Sequence, residues 1–294
     1  MPIGRTIFTW GEMIKFSHSI FALPFALMAT FLAARPHVPT AGQLGLIIVC
    51  MVAARSFAMT VNRILDARID AKNPRTASRA LPAGRIRTSQ AAIFCIIAAV
   101  IFLAGCAGFW KLYGNAWPLK LSALALAQMA FYSYCKRFTA LSHFVLGGVI
   151  GFAPMAAWIA ISPQTLGWPA ILLWATVLFW IGGFDLIYAC QDVDSDRQHG
   201  LFSIPARYGI PAALLASRIC HVATVTLLII LGRIENLGTL YWIALMATAA
   251  LLAFEQSLVR PNDLSRVNLA FFTLNGLVSL ALGAATITDV LFRV

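Results

Sequence analysis

Nine long apolar runs divide this chain, at about 16–34, 43–62, 90–109, 117–134, 142–161, 167–190, 210–232, 239–257 and 267–288. A bilayer core takes about 20 mostly apolar residues per spanning helix. Inside hydrocarbon each backbone N–H and C=O needs a partner within the segment, which a helix supplies. The expected fold is therefore all-α: one polytopic domain, 1–294, with nine transmembrane helices bundled around a central cavity. Composition agrees, with 60% hydrophobic and only 11% charged residues, against roughly 25% charged in a soluble domain. The first run has the look of a signal peptide, since basic residues precede it and FLAAR follows. Eight further runs make it a retained helix.

The net charge of +11 does not point to nucleic acid, because the Lys and Arg lie between apolar runs, as topology signals do. Fifteen fall on one side: at the N-terminus (Arg5, Lys15) and in 63–89, 135–141, 191–209 and 258–266. Five fall on the other: Arg35, Lys111, Lys120, Arg233 and Arg293. This bias predicts a cytoplasmic N-terminus and, after nine spans, an external C-terminus. Arg55 and Arg218 fall inside spans. The six Cys form no CxxC and read as small hydrophobes.

The chain holds only 11 acidic residues, and four of them, Asp185, Asp192, Asp194 and Asp196, sit in DLIYACQDVDSDRQHG. A second group, NRILDARID, carries Asn62, Asp66 and Asp70 at i, i+4, i+8, which forms one oxygen-bearing stripe on a helix. Hard cations prefer such oxygens, and Mg²⁺ takes one or two carboxylates, keeps waters and bridges to phosphates. Asp192 and Asp196 repeat the i, i+4 spacing, whereas Asp194 points elsewhere and reads as a solvated acid. DVDSD resembles the start of an EF-hand loop, but the sixth position is Arg197 and the twelfth Ser203, which excludes it. Asp66 to Asp192 and Asp70 to Asp196 are both 126 residues apart, and LPAGR (81–85) and IPARYG (204–209) follow the two clusters. That spacing suggests two weakly related halves, about 1–140 and 141–294. Both clusters follow even-numbered spans, so both belong to the cytoplasmic mouth and are expected to face one another there.

Two Mg²⁺ sites beside many arginines fit a diphosphate, for which Arg offers bidentate contacts. A diphosphate on a lipid tail, head at the interface and tail among helices, suits this layout. Arg55 lies seven residues before Asn62 and Asp185 seven before Asp192, nearly two turns, so each is expected on its cluster's face, lining the cavity. Intramembrane charges usually face an interior. Tyr188 lies on the same stripe as Asp185, and Tyr132 and Lys136 form another i, i+4 pair. The His residues are dispersed; His18 and His143 have no metal-like partner and read as packing or interfacial. Gly147, Gly148 and Gly151 read as a close helix contact. No Gly-rich phosphate loop, nucleophile elbow or HExxH is present.

These residues resemble the UbiA superfamily of intramembrane aromatic prenyltransferases, over essentially the whole chain. Its first motif is met by Asn62, Asp66 and Asp70, its second by Asp192 and Asp196, and its Tyr-x-x-x-Lys motif by Tyr132 and Lys136. Arg63 departs from the pattern, standing where many members carry an acid or amide. NRILDARIDAKNPRT and YACQDVDSDRQHGLFSIPARYG look like the 4-hydroxybenzoate polyprenyltransferase branch, and more narrowly like a subgroup whose acceptor is instead a dihydroxynaphthoate of menaquinone synthesis. The resemblance implies transfer of a polyprenyl group from polyprenyl diphosphate to an aromatic hydroxy acid by electrophilic aromatic substitution. It implies Mg²⁺ held through Asn62, Asp66, Asp70, Asp192 and Asp196, and a diphosphate met by Arg63, Arg75, Lys136 and Arg197. Asp66, Asp192, Asp196 and Lys136 would be the catalytic set. Arg137 matches a position associated with the acceptor carboxylate; Arg55 is its rival, and Tyr132, Tyr188 and Asp185 complete the acceptor side. The partners implied are these two substrates and the bilayer of a bacterial inner membrane, with loops 63–89 and 191–209 capping the site against water.

Two other classes fit the sequence less well. A transporter would place its key charges near the midplane, whereas these acids crowd one mouth. A noncatalytic scaffold gives no reason for paired acids at matched spacing.

Overall fold

The structure is a computed structural model, and it describes residues 9–14 and 19–293. Arg5, Lys15, His18 and the first residues of the expected 16–34 span lie outside the described residues. The fold is all-helical; among the described residues the β pairing is an isolated bridge between Arg260 and Asp263.

The long helices are α1 (Ser19–Ala34), α2 (Ala41–Asp70), α3 (Thr88–Tyr113), α4 (Trp117–Cys135), α5 (Ser142–Ile161), α6 (Trp168–Ala189), α9 (Ile210–Ile234), α10 (Thr239–Leu258) and α11 (Asn275–Leu291); two short ones, α7 (Val193–Gln198) and α8 (Ile204–Tyr208), lie between α6 and α9. Among the described residues seven segments are long and apolar enough to cross a bilayer, so the chain is an integral membrane protein. The nine long helices among the described residues match the nine expected runs, and two of them, α1 and α4, fall outside those seven segments. Within the described residues α1 runs for 16 residues, about 24 Å at 1.5 Å per residue. α4 dilutes its apolar face with Lys120, Gln128 and Tyr132. Large apolar side chains such as Ile93, Ile96, Ile97 and Val100 on α3 and Ile219 and Val222 on α9 are exposed, as a surface solvated by lipid requires.

The chain divides into two compact units. One comprises Met1–Ser19 and Gly45–Tyr134, the other Ile20–Leu44 and Cys135–Val294. α1 from Ile20 onward belongs to the second unit.

In the first unit α2 runs unbroken for 30 residues. Arg63–Asp70, expected as the start of a cap loop, continue this helix, and the loop begins only at 71. That loop is tied back by a small core in which Met13 and Ile14 meet Ala80, Leu81, Ile86 and Ala91. A second cluster, Ala53, Phe102 and Cys106, joins α2 to α3. α3 ends where Gly114 takes a left-handed φ of 69° and donates to the Trp110 carbonyl at 3.0 Å, a stop that favours glycine.

In the second unit α5 and α6 approach closely. A Cβ at Gly147 would collide with the Leu178 carbonyl and one at Gly151 with the Trp174 carbonyl, and the Trp174 indole N–H donates to the Gly148 carbonyl at 3.1 Å. The close packing expected of these glycines is present. Around the fully buried Trp180, Phe21, Phe25 and Phe184 stack at 5.2–6.2 Å.

A polar knot absent from the sequence reading sits beside them. The last span opens with a π-helical stretch, Leu269–Leu274. Asn275, fully buried, donates to the Ala270 carbonyl at 3.0 Å and to Glu255 Oε1 at 3.0 Å, and accepts from the Trp180 indole at 2.7 Å. One amide thus joins α6, α10 and α11. We expect Asn275→Leu to strand these three partners and cost about 2–3 kcal/mol, given about 1–3 kcal/mol for each unsatisfied buried group in water and smaller values in membranes. Glu255→Gln, which keeps the acceptor oxygen, should unfold near the wild-type temperature. Thermal unfolding in detergent checks both.

Candidate active site

The acids divide between the two units. In the first, α2 presents Asn62 and Asp66 one turn apart, and the Asn62 amide donates to Asp66 Oδ2 at 3.1 Å. Asp66 is buried. Arg55, Arg63 and Asp66 lie within electrostatic reach of Tyr132 on α4. The unit thereby gathers five of the expected site residues, Arg55, Asn62, Arg63, Asp66 and Tyr132.

Asp70, the expected third ligand on the stripe, is paired with a loop arginine. Arg79 Nη1 donates to both of its carboxylate oxygens, at 2.8 and 2.7 Å, and the Asp70 carbonyl accepts from Thr76 Oγ1 at 3.0 Å. This pair anchors the loop after α2 to the helix end. Arg63, expected at the diphosphate, is buried; its Nε donates to the Met13 carbonyl at 3.3 Å, and its Nη1 lies 3.9 Å from Asp70. Arg75 is exposed in the loop, its backbone N–H donating to Asn73 Oδ1 at 2.9 Å.

In the second unit the helix carrying Asp185 does not continue in phase to Asp192. A 3₁₀ turn, Cys190–Asp192, separates α6 from α7. The tighter winding breaks the single stripe expected from a seven-residue step. Tyr188, expected to orient a carboxylate, stacks its ring on Phe271 at 4.3 Å. Asp196 Oδ2 accepts from Ser203 Oγ at 2.8 Å, and Asp192, Lys136 and His143 lie within electrostatic reach of Asp196. Asp194 is exposed.

The segment 191–209 is a folded turn rather than a slack loop. Its Phe202 N–H donates to the Lys136 carbonyl at 2.7 Å, and Arg197 Nε donates to the Ala206 carbonyl at 2.9 Å. Ser203 caps α8 by accepting from the Ala206 N–H at 3.3 Å. These bonds place the backbone of Lys136 beside the turn that carries Asp196. Arg137 is half-buried next to it.

His143, read as a packing residue, is corrected. Its Nδ1 lies 2.7 Å from Asp185 Oδ2. Forty-two residues separate the two, so no helical spacing links them in sequence; α5 and α6 bring them together.

The donor set suits a hard cation that a substrate phosphate completes. The first unit offers the Asn62 amide oxygen and the Asp66 carboxylate one turn apart, the second offers Asp192 and Asp196 four residues apart, and among the described residues no three His, Cys, Asp or Glu gather into a closed cage. Mg²⁺ in phosphate sites commonly takes one or two carboxylates and leaves its other positions to waters and substrate.

Over residues 22–277 the chain matches the UbiA prenyltransferase family. Among curated relatives, a 4-hydroxybenzoate octaprenyltransferase of Tolumonas auensis is 31% identical over 276 residues, covering 93% of this chain and 88% of its own length. A 4-hydroxybenzoate octaprenyltransferase of Vibrio atlanticus is 29% identical over 89% of this chain and 84% of its own. Among solved structures, the apo form of a UbiA homolog from Aeropyrum pernix K1 superimposes with a TM-score of 0.82 at 34% identity, over 92% of this chain and 98% of that one. A UbiA homolog from Archaeoglobus fulgidus, solved with DMAPP and Mg²⁺, shares the fold at a TM-score of 0.71 and 17% identity, over 96% of this chain and 99% of that one. The chain is thus a membrane-spanning transferase of prenyl groups. It belongs to the UbiA prenyltransferase family.

Proposed function

We propose that this protein transfers a polyprenyl group from polyprenyl diphosphate to 4-hydroxybenzoate, with Mg²⁺, in the quinone synthesis of a bacterial inner membrane. The observation that carries the reading is the pairing of two i, i+4 acid clusters with the full-length likeness to 4-hydroxybenzoate octaprenyltransferases. Asn62 and Asp66 in one unit, and Asp192 and Asp196 in the other, are the proposed Mg²⁺ ligands. When bound, the metal would neutralise charge on the diphosphate as it leaves.

The chain's own residues account for the rest. Arg75, Lys136 and Arg197 are the proposed cations that accept the departing diphosphate, a role in which preorganised charge lowers the barrier. The allylic C–O bond breaks, a C–C bond forms at the ring carbon ortho to the phenolic hydroxyl, and that carbon's proton leaves. Asp185 and Tyr132 sit on the acceptor side, with Arg137 or Arg55 at its carboxylate. Asp70 and Arg63 serve this site by holding α2 and the loop after it. The proposed orientation puts the N-terminus in the cytoplasm, the C-terminus outside and the active site near the cytoplasmic face.

An acceptor panel tests the substrate. Membranes containing the protein, given radiolabelled farnesyl or longer diphosphate and Mg²⁺, should prenylate 4-hydroxybenzoate. Prenylation of a dihydroxynaphthoate with 4-hydroxybenzoate inert would instead assign the protein to menaquinone synthesis.

A further inference from the structure

The His143–Asp185 pair is the one ionisable pair on the acceptor side that sequence spacing does not suggest. Asp185 stands on the last turns of α6 with its side chain 22% exposed, whereas His143, in the first turn of α5, is 6% exposed. Nδ1 and Oδ2 are 2.7 Å apart. An ionised carboxylate only accepts hydrogen bonds, so the ring proton belongs on Nδ1. His143 Nε2 is then a buried nitrogen without a hydrogen-bond partner. Such an atom has a cost that Leu or Phe would avoid at a mere packing position.

The same histidine lies within electrostatic reach of Asp196. It therefore contacts a proposed acceptor residue and feels the charge of a proposed metal ligand. The close α5–α6 contact at Gly147, one turn further along α5, fixes the approach of the two helices and so the length of the hydrogen bond.

We infer that His143 is a positioning residue for the aromatic acceptor: by binding Asp185 Oδ2 it fixes that carboxylate so that its other edge receives the phenolic hydroxyl of the ring to be prenylated. The inference rests on the proposed prenyl transfer. A hydroxyl that donates to a fixed carboxylate keeps electron density on its oxygen and on the ortho carbon that forms the new bond. Freed of the histidine, the Asp185 side chain regains its rotamers, and fewer bound acceptors are correctly aligned.

The test compares His143→Leu, His143→Asn, Asp185→Asn and the double variant His143→Leu/Asp185→Asn in the full-length protein in membranes. Steady-state transfer is measured against acceptor and against prenyl diphosphate separately. His143→Leu should raise the acceptor KM about tenfold and lower kcat about tenfold, leaving the KM for prenyl diphosphate within about twofold. His143→Asn keeps an N–H near the Nδ1 position and should restore most of the loss. The double variant should behave like Asp185→Asn alone, because a residue that acts through another adds nothing once that one is gone. Equal changes in both KM values, additive losses, or wild-type kinetics in His143→Leu would overturn the inference while wild-type transfer leaves the function standing. Absence of transfer by the wild type to any phenolic acceptor would sink both.

Discussion

Asp66→Asn and Asp192→Asn should each lower prenyl transfer by at least about 10²–10³-fold, the loss typical when one preorganised stabilising group is removed from an active site. The asparagine variants make the result interpretable. Asn62 donates to Asp66 Oδ2, and an amide oxygen at position 66 accepts the same bond, so the helix end keeps its local structure while losing the charge. Asp192 sits on a 3₁₀ turn at intermediate exposure, where the isosteric change removes no packing. Unchanged thermal unfolding with transfer lost locates the defect in the chemistry. Asp194→Asn, on an exposed acid two residues away, should retain transfer within about twofold.

The second large effect is expected from Gly147→Val. The Cβ would enter the space of the Leu178 carbonyl, which is backbone and cannot rotate away. The helices must separate, at a cost of about 3 kcal/mol, near the upper end for overpacking. Separation also stretches the His143–Asp185 bond one turn away, so transfer should fall further than stability alone explains. Gly148→Ala is the control. Its Cβ would meet Leu178 Cδ1 at 3.6 Å, an ordinary contact, and the variant should unfold with the wild type. Detergent melting curves and transfer rates on both variants check the pair.

The sequence reading reached the helical class, the acid pairs and the glycine contact because each is written in local spacing. An apolar run is legible residue by residue, and Asn62 and Asp66 share a face of any regular helix. What it missed is non-local or irregular. Arg79 reaches Asp70 only because Leu81 and Ile86 bury the loop against Met13 and Ile14. His143 meets Asp185 across two helices. The step from Asp185 to Asp192 failed as helical arithmetic because Cys190–Asp192 winds more tightly than an α-helix. The Asn275 side-chain amide donates to the carbonyl five residues back, beside the π-helical stretch Leu269–Leu274. Only its polarity within an apolar run, together with Glu255 in the preceding span, marked it in advance. A polar residue deep in a span is a usable signal, and Asn275 and Glu255 carry it as Arg55 and Asp185 do.

The central claim is that the acid clusters deliver a polyprenyl group to an aromatic ring with the help of a divalent cation. Its most direct measurement follows label from polyprenyl diphosphate into 4-hydroxybenzoate in membranes containing the protein, with Mg²⁺ supplied or removed by EDTA. The account predicts a labelled prenylated ring in Mg²⁺, its disappearance in EDTA and its return when Mg²⁺ is restored. Undiminished transfer in EDTA, or no labelled aromatic product from any phenolic acceptor with Mg²⁺ present, would contradict it.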